Sequence, residues 1–408
     1  MLEGEIILFF SYTPWSYFRG DNELALLFAE RNKVLYVEPQ KFLEQFPNGA
    51  FLSYLKSFYQ VKAPEQINRN LIVLHVPPML PRYIDLISKL YKRQIALWCF
   101  RLSNAILCRY LRRLFNRMGV SPTIFFFHNP YNFPLIDRFD VDLTCWRVYD
   151  EVSLYKFWEG LENVIEQLES RYVNKIDLIF ASSSSQYEKR VSANSNTYLI
   201  PHVVRFDHYN AILKTEAQVP SDLATIPRPI VGFFGVTDGT RMDFDLLKTL
   251  STERPSWSIV ILGLVQTSAQ EQVMEIMRDS SFKNIYFLGY KGYDELPLYL
   301  KHFDVSIIPY KLNRSTITMY PKKVHEILAV GKPIVSSGMP ELRSLREVIS
   351  IATSPREFVE MVEAELKNDS WERQKRRIEI AKEHSWEKYV VIMENLMEKT
   401  LSLKRVRK

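Results

Sequence analysis

Two lysines and a glutamate spaced Lys322-Lys323-x-x-Glu326 bring opposite charges within one helical turn. The stretch that holds them, Asp304 to Ser337, reads as strand, loop, helix, strand. Val305 to Ile308 form a short apolar run, rich in β-branched residues and ended by Pro309. A polar loop carrying Asn313, Arg314, Ser315, Thr316 and Thr318 follows. Pro321 fits the first helical position and Gly331 the position just past the helix end. A helix start after a hydroxyl-rich loop offers free N–H groups and a partial positive charge, which suits a phosphate. Lys322 and Lys323 reinforce that charge, and Glu326 has the acceptors to bind a diol such as a ribose. Val324, Ile327 and Leu328 share the face expected to pack on a sheet, with Glu326 nearly opposite, beside Lys322, Lys323 and Ala329.

The elements that must position these residues alternate along the chain. Residues 5–38 read as a βαβ unit: strand Ile6–Phe10, a loop with Trp15, Tyr17, Arg19 and Gly20, a helix from about Asn22 with Asp21 as N-cap, and strand Val34–Val37. Loops at the carboxyl ends of strands are where open α/β sheets place ligands. Strand-like runs Leu71–Val76 and Thr123–Phe127 follow, the latter ending in His128. Arg147 to Ser153 reads as a strand ending in the paired acids Asp150 and Glu151. Adjacent side chains point opposite ways, so one acid enters a cleft, and Asp150 is the choice. Further on, Pro229–Gly235 runs into a loop with Gly239 and Arg241 and a helix capped by Asp243. The alternation continues through 258–263, 269–279, 284–290 and 294–303 to the Lys-Lys-x-x-Glu stretch. Residues 355–367 read as a helix, and 371–403 as one long charged helix with a disordered basic tail.

Pro321, Lys323, Glu326, Leu328, Ala329, Gly331, Lys332, Pro333, Ile334 and Val335 together match the pattern P-x-K-x-x-E-x-L-A-x-G-K-P-I-V. This resembles the donor-site motif of retaining glycosyltransferases of family 4, closest to the bacterial capsule and teichuronic-acid surface-polysaccharide type. The resemblance implies a GT-B fold: two Rossmann-like α/β domains facing across a cleft, with the C-terminal helix crossing back to the first domain. It implies a nucleotide-sugar donor, UDP- or GDP-linked, with no cofactor and no metal. Gly235, Arg241, Tyr290, Thr316, Thr318, Lys323 and Glu326 are then the donor-binding residues. Asp150 and His128 are the catalytic candidates, and Trp15 and Arg19 lie on the acceptor side. At one position the chain departs from the family: the usual first glutamate, eight residues before Glu326, is Thr318. The segment LIPHVVRFDHY resembles the family's exit from the first domain, with His202 and Val203 in place of Asn and Gly.

A chain of 408 residues is long for one core and implies more than one domain. The expected boundaries are an N-terminal domain at 1–204, a linker at 205–228, a nucleotide-sugar domain at 229–380 and a crossing helix with basic tail at 381–408. Apolar content of 47% and charged content of 25% are those of a globular protein. Cys99, Cys108 and Cys145 form no disulfide framework and no zinc spacing, so a cytoplasmic setting is expected. No charge-free run approaches the roughly 20 residues of a membrane span, and the first residues lack a basic leader.

An insert at 82–118 stands apart. Arg82, Lys89, Lys92, Arg93, Arg101, Arg109, Arg112, Arg113 and Arg117 face a single acid, Asp85, and are interleaved with Trp98, Phe100, Leu111, Leu114 and Phe115. Basic amphipathic helices of this kind suit an anionic membrane surface. No nucleic-acid recognition motif accompanies it, so no nucleic acid is expected as partner. The expectation is a glycosyltransferase, peripheral at the inner membrane face, acting on a lipid-linked or polysaccharide acceptor. A nucleotide-sugar epimerase and a catalytically silent GT-B binding protein are the alternatives.

Overall fold

Runs such as Ile6–Phe10 and Ile124–Phe127 are apolar at nearly every position, the pattern of strands covered on both faces. Parallel strands need crossover connections, and the helical segments between these runs supply them. The computed structural model describes residues 1–16, 20–41, 51–80, 88–149, 151–154, 162–216 and 218–407. It divides into two units, Met1–Ile200 with Tyr389–Lys408, and Pro201–Lys388.

The first unit runs β1 (Ile6–Phe10), α1 (Gly20–Phe28), β2 (Lys33–Val37), α2 (Phe51–Tyr59), β3 (Glu65–Gln66), β4 (Leu71–Leu74), α3 (Ser88–Met118), β5 (Ile124–Phe127), β6 (Leu143–Val148), α4 (Glu162–Tyr172), β7 (Leu178–Ala181), α5 (Ser184–Val191) and β8 (Thr197–Leu199). Among the described residues its sheet has eight strands in the order β3-β4-β2-β1-β5-β6-β7-β8. All pair in parallel except β3, which runs antiparallel on the edge. The chain winds one way from β1 to β4 and the other way from β5 onward. The topological switch point therefore lies between β1 and β5, where a crevice opens at the strands' carboxyl ends. Leu8, Phe10, Phe125, Phe127 and Trp146 are buried in the core on one face.

The second unit runs α6 (Phe206–Asn210), β9 (Ile230–Phe234), α7 (Phe244–Glu253), β10 (Ser258–Leu262), α8 (Gln270–Arg278), β11 (Ile285–Gly289), α9 (Leu296–His302), β12 (Val305–Ile308), α10 (Lys323–Ala329), β13 (Ile334–Ser337), β14 (Ser350–Ala352), α11 (Pro355–Asn368) and α12 (Trp371–Glu383). Its six strands, among the described residues, lie in the order β11-β10-β9-β12-β13-β14, all parallel. Here the switch point falls between β9 and β12. Asp243 caps α7 as the sequence indicates, accepting from Leu246 N–H at 3.1 Å. The last helix, α13 (Trp386–Arg407), begins in the second unit and belongs to the first from Tyr389 onward.

Four sequence expectations are corrected. Residues 205–228, expected as the interdomain linker, belong to the second unit, where Phe206, Tyr209, Leu223 and Ile226 are buried in the core. The stretch 371–403 is two helices, α12 and α13, broken at His384–Ser385. The basic tail is helix as far as Arg407, with carboxylates of the first unit holding Lys404 and Arg405. Lys404 Nζ lies 2.8 Å from Asp177, and Arg405 pairs with Glu5 at 2.7 Å and Asp142 at 2.9 Å. Finally, Asp21 is not the cap of α1 but lies inside its first turn, turned toward β1.

Candidate active site

In the second unit the phosphate-friendly motif is drawn onto the switch point. α10 begins at Lys323 rather than Pro321, and Lys323 reaches back over the carboxyl end of the sheet. Its ammonium donates to the Phe234 carbonyl at 2.7 Å and to the Tyr310 hydroxyl at 2.8 Å, and lies 3.9 Å from the Phe233 ring centroid. Phe234 ends β9 and Tyr310 follows β12, so the charge sits at the carboxyl ends of the two strands that flank the switch point. Gly235 makes this approach possible: it has φ +129°, and a Cβ there would lie 2.6 Å from Lys323 Nζ.

The loop after β9 is bound to the loop after β12. Met242 bridges Tyr310, Lys311 N–H donates to the Arg241 carbonyl at 2.8 Å, and Asn313 Nδ2 donates to the Thr240 carbonyl at 2.8 Å. Arg241 is partly exposed, with Nε 3.6 Å from Asp238 Oδ2. Burial pushes the Asp238 carboxyl up, but bonds from the Thr240 amide and hydroxyl, with Arg241 nearby, bring it below its ordinary value. Glu326 is 7% exposed and lies 3.6 Å from Lys322 Nζ, and Ala329 and Val330 beside it are fully buried. That flank of α10 is packed, not solvated.

Thr316 requires a correction. It is fully buried, its hydroxyl accepts from Asn313 N–H at 2.9 Å and donates to the Lys311 carbonyl, and so it closes the loop instead of facing a ligand. Thr318 is half-buried, with Oγ1 3.4 Å from the Ser315 carbonyl. Tyr290 follows β11 and is 57% exposed. The residues after it are pinned: Lys291 Nζ lies 2.6 Å from Asp222, and Tyr293 stacks on His208 at 4.5 Å.

In the first unit, His128 directly follows β5 at the switch point, buried, with its backbone N–H donating to the Phe10 carbonyl. Its ring stands edge-on to Phe9 at 4.8 Å and Phe126 at 5.3 Å, and Nδ1 lies 3.4 Å from Asp21 Oδ2. The same carboxylate oxygen accepts from Tyr12 N–H at 2.8 Å and the Ser11 hydroxyl at 2.9 Å. Trp15 is half-buried: its N–H donates to Glu38 at 3.1 Å, and its ring meets Tyr36 edge-on at 5.1 Å. Arg19 and Asp150 lie outside the described residues. Glu151 turns to Lys189 of α5 at 2.8 Å. Among the described residues no group of three or more His, Cys, Asp or Glu side chains could hold a metal ion.

The sequence reading missed Asp21 and Tyr310. Both carried a signal, an acid in the loop after the first strand and an aromatic directly after Pro309. Only the fold shows that they face His128 and Lys323.

Residues 228–368 match the family model described as Glycosyl transferases group 1. The chain is 25% identical over 193 residues to TuaH of Bacillus subtilis (strain 168), named provisionally as a teichuronic acid biosynthesis glycosyltransferase. That match covers 46% of this chain and 47% of TuaH, so the similarity spans about half of the curated relative. Among solved structures, HepE of Anabaena in complex with UDP and glucose is similar with a TM-score of 0.62 at 17% identity, covering 97% of this chain and 99% of that one. An E. coli structure described as trehalose-6-phosphate bound with UDP-2-fluoro glucose gives 0.71 at 11% identity, covering 96% and 99%. The fold is GT-B, built from two Rossmann-like α/β units.

Proposed function

We propose that this chain is a retaining glycosyltransferase of the family 4 type that moves a sugar from a UDP- or GDP-linked donor to a lipid-linked or polysaccharide acceptor. The observation that carries the reading is the Lys323 ammonium at the second unit's switch point, inside the segment that matches group 1 glycosyl transferases. As the bond from the sugar's anomeric carbon to the diphosphate breaks, its electron pair moves onto the diphosphate, while the acceptor's hydroxyl oxygen bonds that carbon and its proton passes to the departing diphosphate. Lys323 and Arg241 stabilise that charge electrostatically, without a metal. Glu326 holds a donor diol, Gly235 lets the diphosphate approach the backbone, and Tyr290 meets the base. Thr318 touches the donor sugar where relatives have glutamate. His128 and Asp150 act on the reacting sugar, and Trp15 and Arg19 receive the acceptor.

The acceptor class is supported by the name of TuaH. A cytoplasmic, peripheral site of action is supported by α3, a single 31-residue helix. It exposes Arg101, Arg109, Arg112, Arg113 and Arg117, together with Trp98 and Leu102. Arg82 and the side chains of Lys89, Lys92 and Arg93 lie outside the described residues. No helix among the described residues is long and apolar enough to cross a membrane.

UDP or GDP at about a hundred times its Kd stabilises the protein by about 2.7 kcal/mol, read as a melting shift. Lys323→Met and Glu326→Ala reduce that shift. The absence of a shift with every nucleoside diphosphate rejects the donor site. A shift without transfer from any nucleotide sugar makes the chain a GT-B binding protein.

A further inference from the structure

Around Asp21, at the first unit's switch point, Ser11, Thr13 and His128 are buried together with it. Asp21 is 4% exposed, and a buried carboxylate is costly unless it is paired and hydrogen-bonded. Two bonds come from the loop after β1, the Tyr12 N–H and the Ser11 hydroxyl. Two further groups meet it: Tyr149, whose hydroxyl interacts with the same carboxylate, and His128, 3.4 Å away, whose ring nitrogens make no shorter hydrogen bond among the described residues. Packing between Phe9 and Phe126 holds the ring's plane without satisfying either nitrogen. An imidazole locked by aromatic edges, with one nitrogen against a carboxylate, has a fixed proton on that nitrogen and a defined use for the other.

The other groups around the ring are Tyr149, at 5.1 Å, and beyond it Arg147, whose guanidinium lies 4.9 Å from the Tyr149 ring. Tyr36 reaches Ser11 from β2, and Tyr131 lies in the turn after β5. Burial pushes the Tyr36, Tyr131 and Tyr149 hydroxyls up, so all three stay neutral at ordinary pH. Burial also pushes the Asp21 carboxyl up, but its pairing with His128 and the bonds from Tyr12 and Ser11 outweigh it and hold Asp21 ionised.

We infer that Asp21 is the positioning residue of His128: it keeps the proton on Nδ1 and thereby leaves Nε2 to accept a hydrogen bond from a hydroxyl group of the sugar substrate. The catalytic half of this rests on the proposed transferase reading, while the pairing itself does not. A carboxylate behind a histidine sets tautomer and ring orientation in the same way in hydrolytic triads.

The test is selective 15N-histidine labelling of the full chain, with His128 assigned by loss of its signals in His128→Gln. The expected wild-type spectrum at pH 7–8 shows a protonated Nδ1. A bare Nδ1 with the proton on Nε2 overturns the inference, and that measurement needs no variant at Asp21. In Asp21→Asn the Nδ1 signature is expected to change. The kcat for transfer is expected to fall about ten- to a hundred-fold, the size of effect known for hydrogen-bond partners behind metal-ligating histidines, with nucleotide Kd unchanged. A folded Asp21→Asn protein with wild-type kcat and an unchanged His128 spectrum also overturns it. If the wild type transfers no sugar, the proposed function falls while the spectrum still decides the Asp21–His128 pairing.

Discussion

At Gly235 the missing side chain and the positive φ serve the same end. They let the Lys323 ammonium settle on the Phe234 carbonyl at the mouth of the second sheet. Gly235→Ala forces an L-residue into a backbone region that costs about 1–3 kcal/mol. It also drives a methyl into Nζ, 2.6 Å away. The expected outcome is a lower urea midpoint and loss of the nucleotide-induced melting shift. A variant that is destabilised but keeps its full shift would show that the ammonium's position has no part in donor binding. Thr316 and Thr318 illustrate the opposite case, since two hydroxyls two residues apart have different fates. The first closes the loop from a fully buried position, and the second stays partly accessible.

Among the elements, α10 carries more than its two charged ends. His325, between Lys323 and Glu326, is fully buried, accepts or donates at 2.7 Å with the Tyr320 hydroxyl, and stacks on His384 at 4.4 Å. His202 lies beyond Tyr320, at 6.2 Å between ring centroids. Burial, and then the like charges of His384 and His202, hold His325 well below the ordinary histidine value of 6.5. The sign follows: His325 stays neutral in the fold and takes a proton when unfolded below pH 6.5. The stability it contributes is therefore complete above about 6.5 and is lost as pH falls further, by up to about 1.4 kcal/mol per pH unit. Urea unfolding between pH 7.5 and 5 should show a smaller acid loss in His325→Gln than in the wild type. Equal slopes would rule out the buried imidazole as the cause.

For the whole molecule, the basic residues divide into two populations. Lys404 and Arg405 of the tail are paired with Asp177, Glu5 and Asp142, whereas the described arginines of α3 are exposed. Partly exposed pairs contribute little each, so deletion of 404–408 should lower stability by about 1 kcal/mol, less at high salt. Each free basic residue near an anionic surface contributes about 1 kcal/mol. Co-sedimentation with anionic vesicles is expected to survive that deletion and to fall sharply in Arg109→Glu/Arg112→Glu/Arg113→Glu. Equal binding to neutral vesicles would remove the electrostatic basis of the membrane reading.

The alternation of apolar runs with helical segments, the two-unit size and the Lys323–Glu326 motif were legible in the chain alone, because strand burial and helix stops are written locally. His128, Gly235 and Arg241 were legible for the same reason, each following a strand run. Four things needed the tertiary structure. Residues 205–228 pack as core because Phe206, Tyr209, Leu223 and Ile226 find apolar neighbours far away in sequence. The tail orders because its partners, Glu5 and Asp177, are separated from it by most of the chain. Asp21 reads locally as a cap but meets His128 across 107 positions of sequence. Lys323 reads locally as part of a phosphate-friendly helix start, but its destination was set by the order of β9 and β12, which no local pattern specifies. Local spacing determines which side chains stand at strand ends. Only strand order decides which of those ends become neighbours.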